Sequence, residues 1–141
     1  MDTVTNETAT RLRYAITRLS RRLRQSALGG VSPAQASMLA VVQRLQRPSL
    51  GDLATAEQIS PPSVTRLVRD MERAGLIQRV ADETDRRCTR VTITASGRRE
   101  LAAIRRRKDE FLERALEALP EADRRRAAEL AGLLETILEQ S

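Results

Sequence analysis

The chain has 141 residues, 31% of them charged, and a formal net charge of +6, and this length suits a single domain with a buried core. It contains no histidine and one cysteine, Cys88, which excludes zinc sites built from Cys and His, disulfides within the chain and His-based catalytic triads. No phosphate-binding glycine loop is present, so an enzyme would have to rely on carboxylates alone. We therefore expect neither an enzyme nor a cofactor or metal.

The basic surplus lies in the first two thirds of the chain. Residues 1–60 carry eight arginines against four acids and residues 61–100 carry nine against six, whereas residues 101–141 are slightly acidic. This distribution permits a polyanionic partner such as nucleic acid, and the single Tyr, single Phe and absent Trp argue against stacking on single strands. There is no apolar run of membrane-spanning length and no secretory signal at the N-terminus. We expect a cytoplasmic protein that does not contact membranes.

The first predicted helix spans residues 9–25, after a polar start over residues 1–8 that we expect to fray. Gly29 and Gly30 follow its end. Its apolar side chains recur at helical spacing and need a partner surface elsewhere. They are Leu12, Ile16, Leu19 and Leu23.

Two shorter helices are predicted next, over residues 33–45 and 50–58. Ser32 followed by Pro33 is typical of a helix start, and Pro48 ends the first of the two. Ser49 with Asp52 three residues later resembles a capping box, which begins the second. Residues 59–60 then form a tight turn.

The stretch 61–79, PPSVTRLVRDMERAGLIQR, is the element around which the chain is organised. We predict a helix that begins at the two prolines and ends at Gly75. One face is apolar and carries Val64, Leu67, Val68 and Met71; the opposite face carries Pro62, Thr65, Arg66, Arg69 and Arg73. Such a helix fits the major groove of DNA, unless its arginines are only solvated. With the preceding helix it makes a helix-turn-helix, the alternative being a plain hairpin inside a helical bundle.

After Gly75 the apolar spacing changes to the period of two that is typical of strands. Strands are predicted over residues 76–80 and 88–94, joined by the polar loop ADETDRR. Two strands are too few to stand alone, so the hairpin must pack on the helices. A helix-turn-helix followed by a hairpin is a winged helix, and Arg86 and Arg87 at the wing tip are placed to reach phosphates or the minor groove.

Two helices close the chain. The first spans residues 95–118, and its basic stretch RRRKDE is either a solvated face or a contact to the DNA backbone. The second begins at Pro120 and carries an apolar stripe at helical spacing. The stripe favours a homodimer, although packing against the first helix of the same chain would cover part of it. Its residues are Leu130, Leu133, Leu134, Ile137 and Leu138.

From Ser49 to Gly97 the chain resembles the multiple-antibiotic-resistance regulator (MarR) family. The resemblance rests on S-V-T-R-L-V-x-x-M-E-x-x-G-L-I-x-R, which runs from the fourth helix into the first strand, and on D-R-R-x-x-x-V-x-I-T-x-x-G, which runs from the wing tip to Gly97. It implies a mainly α winged helix-turn-helix with N- and C-terminal dimerisation helices. The corresponding division is 1–31 for the first dimerisation helix, 32–97 for the DNA-binding domain and 98–141 for the last two helices.

The same resemblance implies a homodimeric, ligand-responsive repressor that binds double-stranded DNA at a pseudo-palindromic operator. We expect Arg73 to contact phosphate and Asp85 to hold Arg87 in position through a charge-assisted bond, the alternative for Asp85 being a turn residue. The residues expected in the groove are Ser63, Thr65, Arg66 and Arg69.

A small aromatic or anionic effector is also implied, in the cleft between the dimer helices and the winged domain. Tyr14, Arg11 and Arg18 are candidates to line that cleft, unless these arginines are simply solvated. The residues expected at the dimer interface are Leu12, Ile16 and Leu19 with Leu130, Leu133, Leu134, Ile137 and Leu138.

Two other mechanisms remain open from the sequence. Cys88 has Arg86, Arg87 and Arg90 nearby, and cationic neighbours of this kind are typical of redox-sensing thiols. Members of the family that sense peroxides carry their cysteine in the N-terminal helical region instead. A winged helix can also serve protein interaction without any specific DNA site.

Overall fold

A computed structural model describes residues 2–141 of the chain. They form six helices and one antiparallel hairpin, so the fold is mainly α with a small β-hairpin wing. The elements are α1 (Thr3–Ala27), α2 (Pro33–Leu45), α3 (Leu50–Glu57), α4 (Pro61–Arg73), β1 (Ile77–Ala81), β2 (Thr89–Ile93), α5 (Ala95–Glu117) and α6 (Glu121–Glu139). None of the helices in the described part of the chain is both long enough and apolar enough to cross a membrane.

Helix α1 begins earlier than predicted. Residues 3–8 are helical, and the Asp2 carboxylate accepts a hydrogen bond from the Val4 amide at 3.3 Å, so the expectation of a frayed start over these residues is wrong. Their polar side chains show no apolar periodicity, but extending an existing helix adds one backbone hydrogen bond per residue at little cost. Met1 lies outside the described residues.

Capping boxes begin both α2 and α3. In α3, the Ser49 hydroxyl accepts from the Asp52 amide at 3.0 Å and the Asp52 carboxylate accepts from the Ser49 amide at 2.9 Å. In α2, Ser32 and Gln35 exchange the equivalent two bonds. Each box satisfies amides that a helix N-terminus would otherwise leave without a partner, so the predicted starts of these two helices are confirmed.

The hydrophobic core lies between α2, α3, α4, the hairpin and the first turns of α5. The predicted inner face of α4 is confirmed, since Val64, Val68 and Met71 are fully buried and Leu67 is half-buried. Their partners are Met38, Leu39, Val42, Leu53, Ile77, Val91 and Leu101. The arginines of α4 consequently face outward.

The backbone of the hairpin also pairs with the connection between α2 and α3. Strands β1 and β2 pair antiparallel from Ile77 opposite Ile93 to Ala81 opposite Thr89. On the other edge of β2, the Val91 amide donates to the carbonyl of Pro48 at 2.9 Å, and Ser49 makes an isolated bridge to Arg90. The connection between α2 and α3 therefore lies along the wing and ties the wing to the helices.

The junction between the wing and α5 accounts for the T-x-x-G motif. The Thr94 hydroxyl accepts from the Gly97 amide at 3.0 Å, which caps α5, and donates to the carbonyl of Gly75. Gly75 itself has a φ of 77°, the left-handed conformation expected where α4 ends. A Cβ on Gly97 would lie 2.1 Å from the carbonyl oxygen of Leu76, so only glycine lets α5 start this close to the hairpin.

Helices α1 and α5 pack against each other, and an arginine of the RRRKDE stretch connects them. Arg107 Nη1 donates to the carbonyl of Ala27 at 3.0 Å, at the C-terminus of α1, and lies 3.8 Å from Glu100 Oε1. A guanidinium is favourable at this end of a helix dipole. Arg107 is therefore a structural contact and not part of a solvated face.

Helix α6 buries none of its residues within one chain, so packing against α1 does not cover its apolar stripe. Among the apolar residues expected at the dimer interface, Leu134 and Leu12 are half-buried and the others are exposed. Those exposed residues are Ile16, Leu19, Leu130, Leu133, Ile137 and Leu138. So many exposed apolar side chains on two helices are unusual on a monomer in water.

Candidate nucleic-acid interface

The turn between α3 and α4 sets the direction of α4. Gln58 adopts the left-handed conformation (φ 55°, ψ 43°), and the Ile59 amide donates to the carbonyl of Ala54 at 3.2 Å. Ser60 then caps α4, its hydroxyl accepting from the Ser63 amide at 3.3 Å. The turn thus ends one helix and starts the next within three residues, as a helix-turn-helix requires.

The outer face of α4 presents three arginines without acidic partners. Arg66, Arg69 and Arg73 are exposed, and none makes an ion pair with another described residue. In contrast, Arg79 on the neighbouring strand lies 3.6 Å from Glu72. Because their charge is not neutralised within the protein, the three guanidinium groups of α4 are free to bind phosphates or base edges.

Two hydroxyls lie at the N-terminal end of the same face. The Thr65 hydroxyl donates to the carbonyl of Pro61 at 3.1 Å, and the Ser63 and Ser60 hydroxyls are 2.8 Å apart. Thr65 has used its only donor, but its oxygen keeps lone pairs that can accept from an amino group of a base. The face therefore combines cationic donors with neutral acceptors.

The wing tip carries a preorganised arginine. Asp85 Oδ1 accepts from the Arg87 amide at 3.1 Å and from Arg87 Nε at 3.2 Å, while the Arg87 side chain stays 93% exposed. Asp85 is thus both a turn residue and the partner of Arg87, the two alternatives that the sequence left open. Arg86 is exposed and forms no ion pair with the described residues.

At the wing base, Arg90 makes contacts that sequence reasoning missed. Its Nε and Nη2 donate to Asp82 Oδ2 at 3.2 and 3.1 Å, its Nη1 donates to the carbonyl of Arg47 at 3.1 Å, and Nη1 also lies 3.6 Å from Asp52 Oδ2. In the sequence it is only a polar residue of an alternating strand. The available signal was Asp82, the acid eight positions earlier, which lies diagonally across the hairpin because Arg90 pairs with Val80.

Both acids around Arg90 stay ionised at neutral pH. The Thr84 amide, and then Arg90, lower the pKa of Asp82, and the Ser49 amide and hydroxyl are the main reasons that the pKa of Asp52 is lowered. The charges that hold the wing base are therefore present throughout the physiological range.

A cavity of about 250 Å³ lies between α1, α2 and α5. Its walls are mainly apolar and three cationic side chains stand among them. The lining residues include Leu28, Ala36, Leu101, Arg24, Arg105 and Lys108. Tyr14, Arg11 and Arg18 do not line it: Tyr14 is 58% exposed, and the Arg18 guanidinium carbon lies 5.4 Å from the centre of the Tyr14 ring.

Cys88 lies in the hairpin loop, half-buried and not in a disulfide. Its backbone closes the loop, because the Asp82 amide donates to the Cys88 carbonyl at 3.1 Å and the Cys88 amide donates to the Asp85 carbonyl at 3.0 Å. Within the described part of the chain, no group of three or more Cys, Asp or Glu side chains is placed to hold a metal ion.

A tight helix-turn-helix whose second helix presents unpaired arginines, followed by a hairpin with a basic tip, defines a winged helix-turn-helix DNA-binding protein. The comparisons with known proteins agree. A model described as MarR family matches residues 31–89. An HTH-type transcriptional regulator of Mycobacterium tuberculosis is 31% identical over 134 residues, 94% of either chain.

Two further proteins are similar. A transcriptional regulator protein of Pseudomonas aeruginosa, known from its crystal structure, is 36% identical with a TM-score of 0.82 over 99% of both chains. The transcriptional activatory protein BadR of Rhodopseudomonas palustris is 45% identical over 65 residues, which are 42% of this chain and 37% of BadR. The chain belongs to the MarR family: it is a DNA-binding transcriptional regulator and not an enzyme.

Proposed function

We propose that the protein is a homodimeric, ligand-responsive repressor that binds a pseudo-palindromic operator in the cytoplasm. The two α4 helices of the dimer would enter successive major grooves about one helical turn apart. The observation that carries this proposal is the outward face of α4, where Arg66, Arg69 and Arg73 have no acidic partner among the described residues. Repression follows from occupancy of a promoter site.

Each residue of the interface has a role in this proposal. Ser63, Thr65, Arg66 and Arg69 contact base edges, because the N-terminal part of a recognition helix lies deepest in the groove. Arg73, one turn further along, binds phosphate. The wing tip contributes Arg86 and Arg87 to the minor groove or its phosphates, and Asp85 orients Arg87.

Dimerisation is supported by the exposed apolar residues of α1 and of α6. This surface has no cover within one chain, and burying it in a second copy would stabilise the assembly through the hydrophobic effect. A dimer also doubles the DNA contacts, so that each weak half-site contributes to one strong complex.

Ligand response is supported by the cavity between α1, α2 and α5. Its apolar walls with Arg24, Arg105 and Lys108 suit a small aromatic anion. A ligand that binds more tightly to a dimer whose wing spacing does not fit DNA would shift the population towards that form, and the DNA would be released. Tyr14, Arg11 and Arg18 remain candidates to line another part of the cleft between the dimer helices and the winged domain.

Activation of transcription is a second candidate function. It is favoured by the 45% identity to BadR over 65 residues. Both functions use the same DNA interface, and transcription from a promoter carrying the operator separates them. Repression predicts more transcript without the protein, and activation predicts less.

Selection of bound duplexes from a random DNA library tests the proposal, with Arg66→Ala and Arg124→Ala run beside the wild type. Arg124 is an exposed arginine of α6, so this control removes the same charge away from the interface. We expect a pseudo-palindrome with half-sites about ten base pairs apart, with preference relaxed at defined positions by Arg66→Ala only. Enrichment of no sequence would instead indicate a protein-interaction module.

A further inference from the structure

The Arg90 side chain connects three separate segments of the chain. Starting from β2, its guanidinium reaches Asp82 at the start of the wing loop, the carbonyl of Arg47 in the α2–α3 connection, and Asp52 in the first turn of α3. Only 33% of the side chain is exposed. Every nitrogen of the guanidinium already has an oxygen partner, so Arg90, unlike the arginines of α4, is not free to bind phosphate.

The segment that receives Arg90 is itself strained. Gln46 has a φ of 68° and a ψ of −61°, and the Arg47 amide donates to the Leu45 carbonyl at 2.9 Å, which is a γ-turn in the orientation that non-glycine residues rarely adopt. Such a conformation persists only where the surroundings hold it. Here the bonds from Arg90 to Arg47 and from the Val91 amide to Pro48 hold it.

Asp82 holds the guanidinium of Arg90 at the start of the wing loop. Its Oδ1 accepts from the amide and the hydroxyl of Thr84, both at 3.1 Å, and its Oδ2 accepts from the guanidinium of Arg90. The Asp82 side chain is only 16% exposed. The first residues of the wing loop are therefore shaped by the acid that Arg90 binds.

We propose that Arg90 is a positioning residue that sets the angle between the wing and the recognition helix, and so determines where Arg86 and Arg87 meet the DNA. The inference rests on the proposed binding of DNA. A hairpin of two strands is a flexible element, and its tip is useful only if it is held against the helix-turn-helix. Arg90 supplies that support, because it joins the loop after β1, through Asp82, to the α2–α3 connection, through the carbonyl of Arg47.

Two neighbouring acids provide the decisive comparison. Asp82→Asn and Glu83→Gln each remove one negative charge, but the Glu83 side chain is 85% exposed and lies 3.8 Å from its nearest cation, Arg47, a pair of little weight. Simple electrostatics predicts that both changes strengthen DNA binding. A positioning role predicts that Asp82→Asn weakens it, as Arg90→Met does.

The duplex selected by the wild type is the probe, and affinity is measured by fluorescence anisotropy. We expect Asp82→Asn and Arg90→Met each to lose on the order of tenfold in affinity, while Glu83→Gln binds as tightly as the wild type or more tightly. The double variant Asp82→Asn/Arg90→Met loses no more than Arg90→Met alone, because Asp82 acts on the wing through Arg90.

Hydroxyl-radical cleavage of the same complexes supplies a readout that a general loss of stability would not produce. We expect both single variants to lose protection in the minor groove outside the half-sites, with protection of the major-groove half-sites retained at saturating protein. If Arg90→Met does not fold, the comparison of Asp82→Asn with Glu83→Gln decides alone.

The inference is overturned if Asp82→Asn binds as tightly as Glu83→Gln, or if the two losses add in the double variant, since Arg90 would then act as a direct contact. Unchanged protection outside the half-sites also overturns it. Failure of the proposed function looks different, because the wild type itself would then enrich no sequence, and the inference would fall with it.

Discussion

Position 97 admits no atom beyond a hydrogen. A Cβ there would meet the carbonyl oxygen of Leu76 at 2.1 Å and Cγ1 of Ile93 at 2.7 Å. Backbone cannot move aside as a flexible side chain can, so α5 would have to lift off the end of the hairpin. The packing alone therefore requires glycine at this position.

We expect Gly97→Ala to lower the free energy of unfolding by about 3 kcal/mol, the usual cost of forcing extra atoms into a tight contact. Chemical denaturation of the purified variant measures the change. Gly51→Ala is the control, because its Cβ would meet only the Ser49 hydroxyl oxygen at 3.7 Å, and alanine in a helix stabilises by up to about 1 kcal/mol. Equal stability of the two variants would contradict the packing argument.

Among the elements, the turn between α3 and α4 carries avoidable strain. Gln58 holds a positive φ that costs an ordinary L-residue about 1–2 kcal/mol, yet the turn fixes the angle at which α4 is presented. The glutamine side chain makes no hydrogen bond with another described residue that would offset this cost.

We therefore expect Gln58→Gly to raise the free energy of unfolding by about 0.5–1 kcal/mol, the strain released less the extra chain entropy of glycine. Gln58→Val should lower it, because a branched Cβ is least compatible with the left-handed region. Thermal unfolding followed by circular dichroism measures both. A Gln58→Gly variant less stable than the wild type would show that the turn is not strained.

Local patterns predicted most elements because their causes are local. The Ser49 and Asp52 pair, the two prolines in the first turn of α4 and the left-handed glycine at 75 each act within a few residues, and each indicated the correct boundary. The start of α1 was wrong because its polar residues lack the periodicity on which the prediction depended.

Contacts between distant segments could not be predicted from the sequence. Arg90 meets Arg47, 43 positions away, and no spacing rule connects a strand residue to that carbonyl. Arg107 meets Ala27 across 80 positions, and within a run of basic residues it looked solvated. For the interface, the pattern indicated which face of α4 is basic, but only the structure showed which arginines lack an acidic partner.

At the scale of the whole molecule, assembly should depend on the apolar face of α6. We expect Leu133→Asp to convert the protein to a monomer, because a charge would have to be buried without a partner. Sedimentation equilibrium measures the mass, and operator affinity should fall on the order of 100-fold as the second half-site is lost.

Ala128→Asp is the matched control, since helical spacing places residue 128 on the opposite side of α6. It introduces the same charge at an exposed position, and we expect a dimer with unchanged operator affinity. A Leu133→Asp variant that remains dimeric would show that another surface carries the assembly, and a monomeric wild type would contradict the proposed dimer.

The locked junction at Thr94 and Gly97 makes α5 a lever arm. The helix has 23 residues, about 34 Å at the usual rise per residue, which is close to one turn of DNA. Its first turn is fixed to the hairpin through Gly75 and Leu76, so it cannot swivel there independently. In the proposed dimer, tilting α5 by about 5° about its C-terminal end would displace its first turn, and the wing fixed to it, by roughly 3 Å over that length, enough to move the wing out of register with its groove.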